Sequence, residues 1–247
     1  MSKVRPILYL LLTLCLLTAL PRPGRSAQVA KPVQGPANRL LQMEKKYQQL
    51  HSLEFDFSQT TATNGRIKAG LGQAVFYRPF ARSGGGGATV DAAAIMRWDY
   101  TEPTVQTIIN DGKNLSIHTP QDKQLIVSPA GEMEADITYA IFTGTTSLLD
   151  AFEASPPDRN FLISAPPTGL EAVLLTPRKP HGQVKRIQLW LGSDLTLQRL
   201  LMEDHFGALT ELTFSRVRFN TLPAGDRREV ESLLKLDLAP GTETIRQ

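Results

Sequence analysis

The sequence predicts a mainly β protein with helices, in which about ten or eleven strands run as serial antiparallel hairpins and form a meander or open barrel. Three observations predict it. Apolar and polar residues alternate over much of the chain that follows Leu50. Clusters of Gly, Pro, Asn and Asp punctuate these runs at hairpin spacing. Helical spacing is confined to two stretches, one near Asn38 to Leu50 and one from Asp136 to Phe152.

The chain opens with a segment of another kind. Lys3 and Arg5 precede an apolar run from Ile7 to Leu20, which Pro21, Pro23 and Gly24 close and the small residues Ser26 and Ala27 follow. A basic start, a short apolar stretch and a small-residue exit predict a secretory signal peptide over 1–26, leaving a single domain over 27–247. As a membrane anchor the run would be short. Cys15, the single cysteine, sits inside it behind Leu14. It is not read as a lipidation site, and no intramolecular disulfide can form.

Cleavage after residue 26 would remove Lys3, Arg5, Arg22 and Arg25 and no acid. The 27 basic residues then fall to 23 against 24 acids, and the formal charge goes from +3 to −1. The basic balance therefore belongs to the leader, and nucleic-acid binding loses the positive surface it needs.

Ala27 to Pro36 is a polar, proline-bearing lead. Asn38 is placed to cap a helix with Leu40, Leu41, Tyr47 and Leu50 on one side and Glu44, Lys45 and Lys46 opposite. The period then drops to two. Leu53, Phe55 and Phe57 alternate with Glu54, Asp56 and Ser58, and the Thr63-Asn64-Gly65 turn leads into a second strand from Arg66 to Phe80. Met96, Trp98 and Tyr100 mark the third strand. Val105 to Ile109 and Leu115 to Ile117 flank the hairpin signal Asn110-Asp111-Gly112-Lys113, and the Pro120 to Lys123 turn precedes Leu125 to Val127. Further strands are predicted at Phe161 to Ser164, Leu170 to Thr176, Val184 to Leu191, Leu195 to Met202 and Leu209 to Phe219. A short last strand is predicted through Leu234, Leu236 and Leu238. Ala81 to Ala94, with four glycines from Gly84 to Gly87, reads as an inserted loop, and Asp136 to Phe152 as one or two short helices broken near Gly144.

Chemistry-bearing motifs are sparse. His51, His118, His181 and His205 show no metal-ligand spacing. Asp204-His205 falls at a hairpin tip, and no G-x-S-x-G elbow supplies a nucleophile for it. The glycine run lacks the Lys-Ser or Lys-Thr of a phosphate loop. These residues make no case for an enzyme and imply no cofactor or metal. The informative feature is strand two, where Gly70, Gly72, Ala74, Phe76 and Arg78 share one face. Glycines inside a strand mark a bulge or a close approach. Arg78 either points inward and needs acceptors or snorkels at a rim, and the residues alone leave both readings open.

The ordered series Phe57-Ser58-Gln59, Gly70-x-Gly72, Arg78-Pro79-Phe80, Arg97-Trp98-x-Tyr100-x-x-Pro103, Asp111-Gly112-Lys113-x-Leu115 and Pro120 resembles the periplasmic outer-membrane lipoprotein carrier family, LolA. Weaker correspondence continues through Leu174 to Pro177 and the Leu236 to Gly241 segment. The Ala81 to Ala94 insertion departs from the family pattern.

The resemblance implies an incomplete antiparallel β-barrel covered by a helical lid, with a hydrophobic cavity for lipoprotein acyl chains. It implies that Arg78 gates the lid through hydrogen bonds. Phe55, Phe57, Phe76, Met96, Trp98 and Ile117 are the expected cavity lining, and Ile141, Phe142, Leu148 and Leu149 the expected lid. It also implies a monomeric periplasmic chaperone, loaded with acylated lipoproteins by an inner-membrane ABC exporter and relieved of them by an outer-membrane acceptor. Rival readings keep the fold for another lipid or for sensing mislocalised lipoproteins, make the chain a periplasmic hydrolase working through carboxylates or Asp204-His205, or make it an envelope module without ligand.

Overall fold

Asn64 and Gly65 take positive φ, 48° and 74°, and so turn β1 (Ser52–Thr63) straight back into β2 (Arg66–Tyr77). A tight two-residue turn of this hand suits the twist of paired strands. The computed structural model describes residues 35–79, 93–130, 137–143, 147–165, 167–179, 182 and 184–247. The expected signal segment with Cys15, the Gly84 to Gly87 loop and His181 lie outside these residues.

Serial hairpins continue through β3 (Ile95–Glu102), β4 (Gln106–Asn110), β5 (Asn114–Thr119) and β6 (Gln124–Pro129). At the β4–β5 turn the Asp111 carboxylate accepts from the Lys113 and Asn114 N–H groups, at 2.8 and 2.6 Å. The second half holds β7 (Phe152–Ser155), β8 (Glu171–Pro177), β9 (Arg186–Leu191), β10 (Leu197–Glu203) and β11 (Leu209–Phe219), and β12 (Glu243–Arg246) closes the chain. Together they make one twelve-stranded sheet in the order β12-β6-β5-β4-β3-β2-β1-β11-β10-β9-β8-β7. All pairings are antiparallel except β12 with β6. The outer strands β12 and β7 do not pair, so the sheet stays open. Register shifts interrupt the ladders at Glu54/Asp56, Leu71/Gly72 and Leu197/Arg199, and a bulge at such a point bends the strand that carries it.

Three helices cover the inner face. They are α1 (Pro36–Gln48), α2 (Ile137–Thr143) and α3 (Leu148–Ala151). Leu40, Met43 and Tyr47 of α1 are buried at helical spacing against Phe55, Phe57, Phe76, Leu189, Leu200 and Phe214 of the sheet. A fourth helix, α4 (Arg227–Leu234), packs Val230 and Leu233 on the opposite face, over Tyr77 and Ile95.

The mainly β class and the open antiparallel sheet agree with the sequence reading, and several elements need correction. Among the described residues the strands number twelve. Gly35 caps α1, with Pro36 in its first turn, and Asn38 lies inside the helix. Leu41 is exposed and Glu44 buried, the reverse of the expected faces. Phe161 to Ser164 forms no strand. It lies between Pro156-Pro157 and Pro166-Pro167, and its apolar side chains are satisfied as a loop packed on Trp190 and Leu201, with the Arg186 guanidinium 3.9 Å above the Phe161 ring. The Leu234 to Leu238 alternation is not a strand either. Asp226 caps α4 by accepting from Arg228 N–H at 2.8 Å, which makes Leu234 the last residue of a helix, and the strand forms only beyond Gly241. β7 was hidden in the expected helical stretch, since Phe152 keeps the helical spacing while its backbone is extended.

Candidate functional site

Strand pairing lays apolar side chains in rows across the inner face. One row runs Phe55–Ala74–Trp98–Ile108–Ile117–Ile126–Ile245, each residue opposite the next. Residues directly opposite share a face, so the row is a continuous apolar band over seven strands. The helices sit on one end of it. Phe55, Phe57, Phe76, Met96 and Trp98 are buried in a single cluster with Ile141, Phe142 and Leu148, and Leu149 packs against its edge. The structure thus brings the expected lining and the expected lid together. Ile117 stands apart: it lies on the same face, half-buried and outside the cluster.

Aromatic rings fill the centre of this cluster. Phe142 of α2 comes down between them, 5.2 Å from Phe55, 6.0 Å from Tyr47 and 6.0 Å from Phe214, measured between ring centroids. Phe57 meets Trp98 at 4.7 Å and Tyr100 at 4.8 Å edge-on. These are favourable aromatic geometries. The helices are therefore shut against the sheet, with Phe142 occupying the middle of the apolar space.

Polar contacts hold this arrangement at its margins, and they fall into two groups. The first fixes α1. Lys46 Nζ donates to Asp194 O and Thr196 Oγ1, both at 2.9 Å, and Arg39 Nη2 donates to Gly192 O at 2.6 Å. The Tyr47 hydroxyl accepts from Leu197 N–H at 2.9 Å, and burial pushes its pKa up, so it stays protonated. These bonds bolt α1 to the β9–β10 turn. The second group holds α2 and α3. Arg78 Nη1 donates to Gln48 O at 2.7 Å and Leu50 O at 3.2 Å, and Nη2 donates to Phe142 O at 3.4 Å. One guanidinium thus links the end of β2, the end of α1 and the last turn of α2. Arg78 is half-buried at the end of the strand, and the backbone carbonyls of Gln48, Leu50 and Phe142 are its acceptors. On the other side, the Glu44 carboxylate accepts from Leu148 N–H at the start of α3.

Glu44 was missed because its helical position follows an apolar residue on one side and two lysines on the other. The signal that could have found it is its spacing: it lies four residues beyond Leu40 and three before Tyr47, on the face those residues bury. Burial raises its pKa above 4.5, the Leu148 N–H opposes that shift, and Asp150 adds to it. A folded pKa above the unfolded value means that the folded state holds the extra proton between the two, so stability falls as pH rises through that window. Glu44→Gln keeps the oxygen that accepts from Leu148 and removes the titration. Its melting temperature is expected to match the wild type at about pH 4 and exceed it at about pH 7, with a flatter thermal-denaturation profile between.

Two other candidates carry less. The Asp204 carboxylate accepts from Phe206 and Ala208 N–H, both at 2.8 Å, and so builds a turn. Among the described residues no group of three or more His, Cys, Asp or Glu could hold a metal ion.

Residues 48–226 match the family described as outer membrane lipoprotein carrier protein LolA. An outer-membrane lipoprotein carrier protein from Dechloromonas aromatica (strain RCB) is 28% identical over 182 residues, which is 71% of this chain and 79% of that one. A protein of the same name from Chromobacterium violaceum is 23% identical over 195 residues, 79% of this chain and 83% of its own length. Among solved structures, a LolA superfamily protein from Nitrosomonas europaea aligns with 79% of this chain and 97% of its own, at 14% identity and a TM-score of 0.38.

Proposed function

The chain belongs to the LolA family of outer membrane lipoprotein carrier proteins, and from that membership we propose that it is a periplasmic chaperone that shelters lipoprotein acyl chains between the inner face of its sheet and the α2–α3 segment. The observation that carries this reading is the asymmetry of the helical cover. A largely apolar interface lies beneath α2 and α3, with the Glu44 carboxylate and the Arg78 guanidinium at its margins, and α1 has its own bonds to the β9–β10 turn that do not involve them. Withdrawing Phe142 would open apolar space without unfolding the sheet or moving α1.

The energetics explain why the closed form is packed. Burying a chain of about sixteen carbons gains about 0.8 kcal/mol per methylene, or about 13 kcal/mol in all. A carrier that kept all of that gain would not let its cargo go. Here the cargo must displace aromatic contacts and polar links that re-form when it leaves, and this lowers the net affinity. In the closed state Arg78 holds α2, and in the loaded state the carbonyl of Phe142 is released. The reading assigns the chain no reaction. Its partners are acylated lipoproteins, an inner-membrane ABC exporter that loads them and an outer-membrane acceptor that takes them. No helix among the described residues is long and apolar enough to cross a membrane.

The test is recovery of cargo. Protein purified from the periplasm of cells making triacylated lipoproteins is expected to carry them, as seen by mass spectrometry of the intact complex and of extracted lipid. Extraction of a different lipid class, or of none under any loading condition, would overturn the reading.

A further inference from the structure

Of the large apolar side chains exposed among the described residues, Ile67, Leu71, Val105 and Phe206 gather at one end of the sheet. Strand register places them there. Ala62 lies opposite both Ile67 and Leu209, so the Asn64-Gly65 tip and the 204–208 turn lie at the same end of the sheet, with Ile67 and Leu209 two strand spacings apart, about 9.6 Å. Leu71 lies opposite Glu102, where β3 turns through Pro103 to Val105. Phe206 is 91% exposed and Ile67 71%. Side chains this apolar at hairpin tips cost solubility unless something receives them.

The same tips carry cations and hydroxyls. Arg66 and Lys68 flank Ile67 in sequence and point to the other face, opposite Thr63 and Thr61. With Asn64 these four residues line a recess of about 540 Å³. Arg66 to Gly70 lie beyond the pairing of β2 with β3, so the β1–β2 hairpin reaches past its neighbour. The acids on these turns are Glu102 and Asp204, and the Asp204 carboxylate is engaged by Phe206 and Ala208 N–H.

We propose that this end of the sheet is a bilayer-docking edge, with Ile67 and Phe206 entering the headgroup boundary and Arg66 and Lys68 meeting the phosphates of anionic phospholipid. Projecting apolar tips flanked by cations suit the layered chemistry of a membrane surface, where apolar groups go deep and basic groups stay at headgroup level. A flat protein interface would instead bury its apolar groups within a polar rim. The proposal goes beyond the carrier reading and does not depend on it, since it concerns the empty protein and a lipid surface.

Vesicle co-sedimentation of the cargo-free, processed protein tests it. Vesicles of phosphatidylcholine with about 30% phosphatidylglycerol are expected to bind the protein, and phosphatidylcholine alone to bind it less. Ile67→Ser with Phe206→Ser, and separately Arg66→Gln with Lys68→Gln, are each expected to weaken binding about tenfold. These side chains are exposed, so the fold persists, and Leu234→Ser on α4 should leave binding unchanged. Absence of binding to the anionic vesicles overturns the proposal. So does binding that both double variants retain, and so does a pattern in which they impair cargo transfer from a protein partner while vesicle binding is intact.

Discussion

Arg78→Leu is expected to leave the protein folded and able to take up acylated cargo, while handover to an outer-membrane acceptor slows about tenfold. The substitution removes the guanidinium that joins β2 to Gln48 O, Leu50 O and Phe142 O. The first two acceptors belong to the end of α1, which other bonds already hold. The bond to Phe142 O is the one that favours α2 in its closed position. At 3.4 Å it is long, so a contribution of about 1.4 kcal/mol is reasonable for a charged donor. That is about a factor of ten in the closed-to-open ratio. Losing it raises the population competent to hold cargo, so cargo binds more tightly and leaves more slowly. Arg78→Lys should recover only part of the effect, because an ammonium cannot fork between α1 and α2 as the planar guanidinium does. Transfer of labelled lipoprotein from purified carrier to outer-membrane vesicles measures both variants. Normal handover by Arg78→Leu would remove the latch from the mechanism.

Gly72→Ala is expected to destabilise the fold by about 3 kcal/mol, lowering the melting temperature by about 10 °C. A Cβ at this position would stand 2.3 Å from Asp99 O and 2.7 Å from the Phe57 ring. Asp99 O belongs to the neighbouring strand and cannot retreat without disturbing the β2–β3 ladder. Phe57 cannot swing aside without disturbing Trp98 and Tyr100. Gly70 is the control. Its added Cβ would lie 3.3 Å from Glu102 O and 3.4 Å from the Tyr100 ring, so Gly70→Ala should cost far less. Calorimetry on the two variants separates close approach from a general demand for glycine in this strand, and equal melting temperatures would refute it.

These two residues were legible in the sequence for different reasons. Gly72 stood out because glycine inside an otherwise apolar alternation needs a cause, and the structure supplies both causes at once, a register shift and an aromatic ring lying over the backbone. Arg78 stood out through its position on the same face. Turn chemistry located the hairpins at Asn64-Gly65 and Asp111-Gly112, because positive φ narrows the residues allowed. Where local pattern misled, tertiary contacts had decided. Leu234, Leu236 and Leu238 alternate as a strand would, but the Asp226 cap and the fit of Leu233 against Tyr77 and Ile95 select a helix that ends at Leu234, and Leu236 and Leu238 lie beyond it outside any strand. Phe161 is as apolar as a strand residue, and prolines on both sides deny its segment a ladder. Glu44 looked like solvated charge, and only the arrival of the α3 backbone, 104 residues further on, makes it an internal cap. Ile117 lies on the expected face, but no pattern in the chain shows where the helical cover ends.

The sheet's two borders bear on how the molecule lives among its copies. Both are four-residue strands, Phe152–Ser155 on one side and Glu243–Arg246 on the other. A long bare border of backbone donors and acceptors invites a second chain to extend the ladder. The Glu243–Arg246 strand runs alongside Leu125, Ile126 and Val127 and occupies the donors and acceptors that so greasy a stretch would otherwise offer to a neighbour. An open sheet thereby gains some of the self-containment of a closed one, and a crowded compartment finds little on it to polymerise.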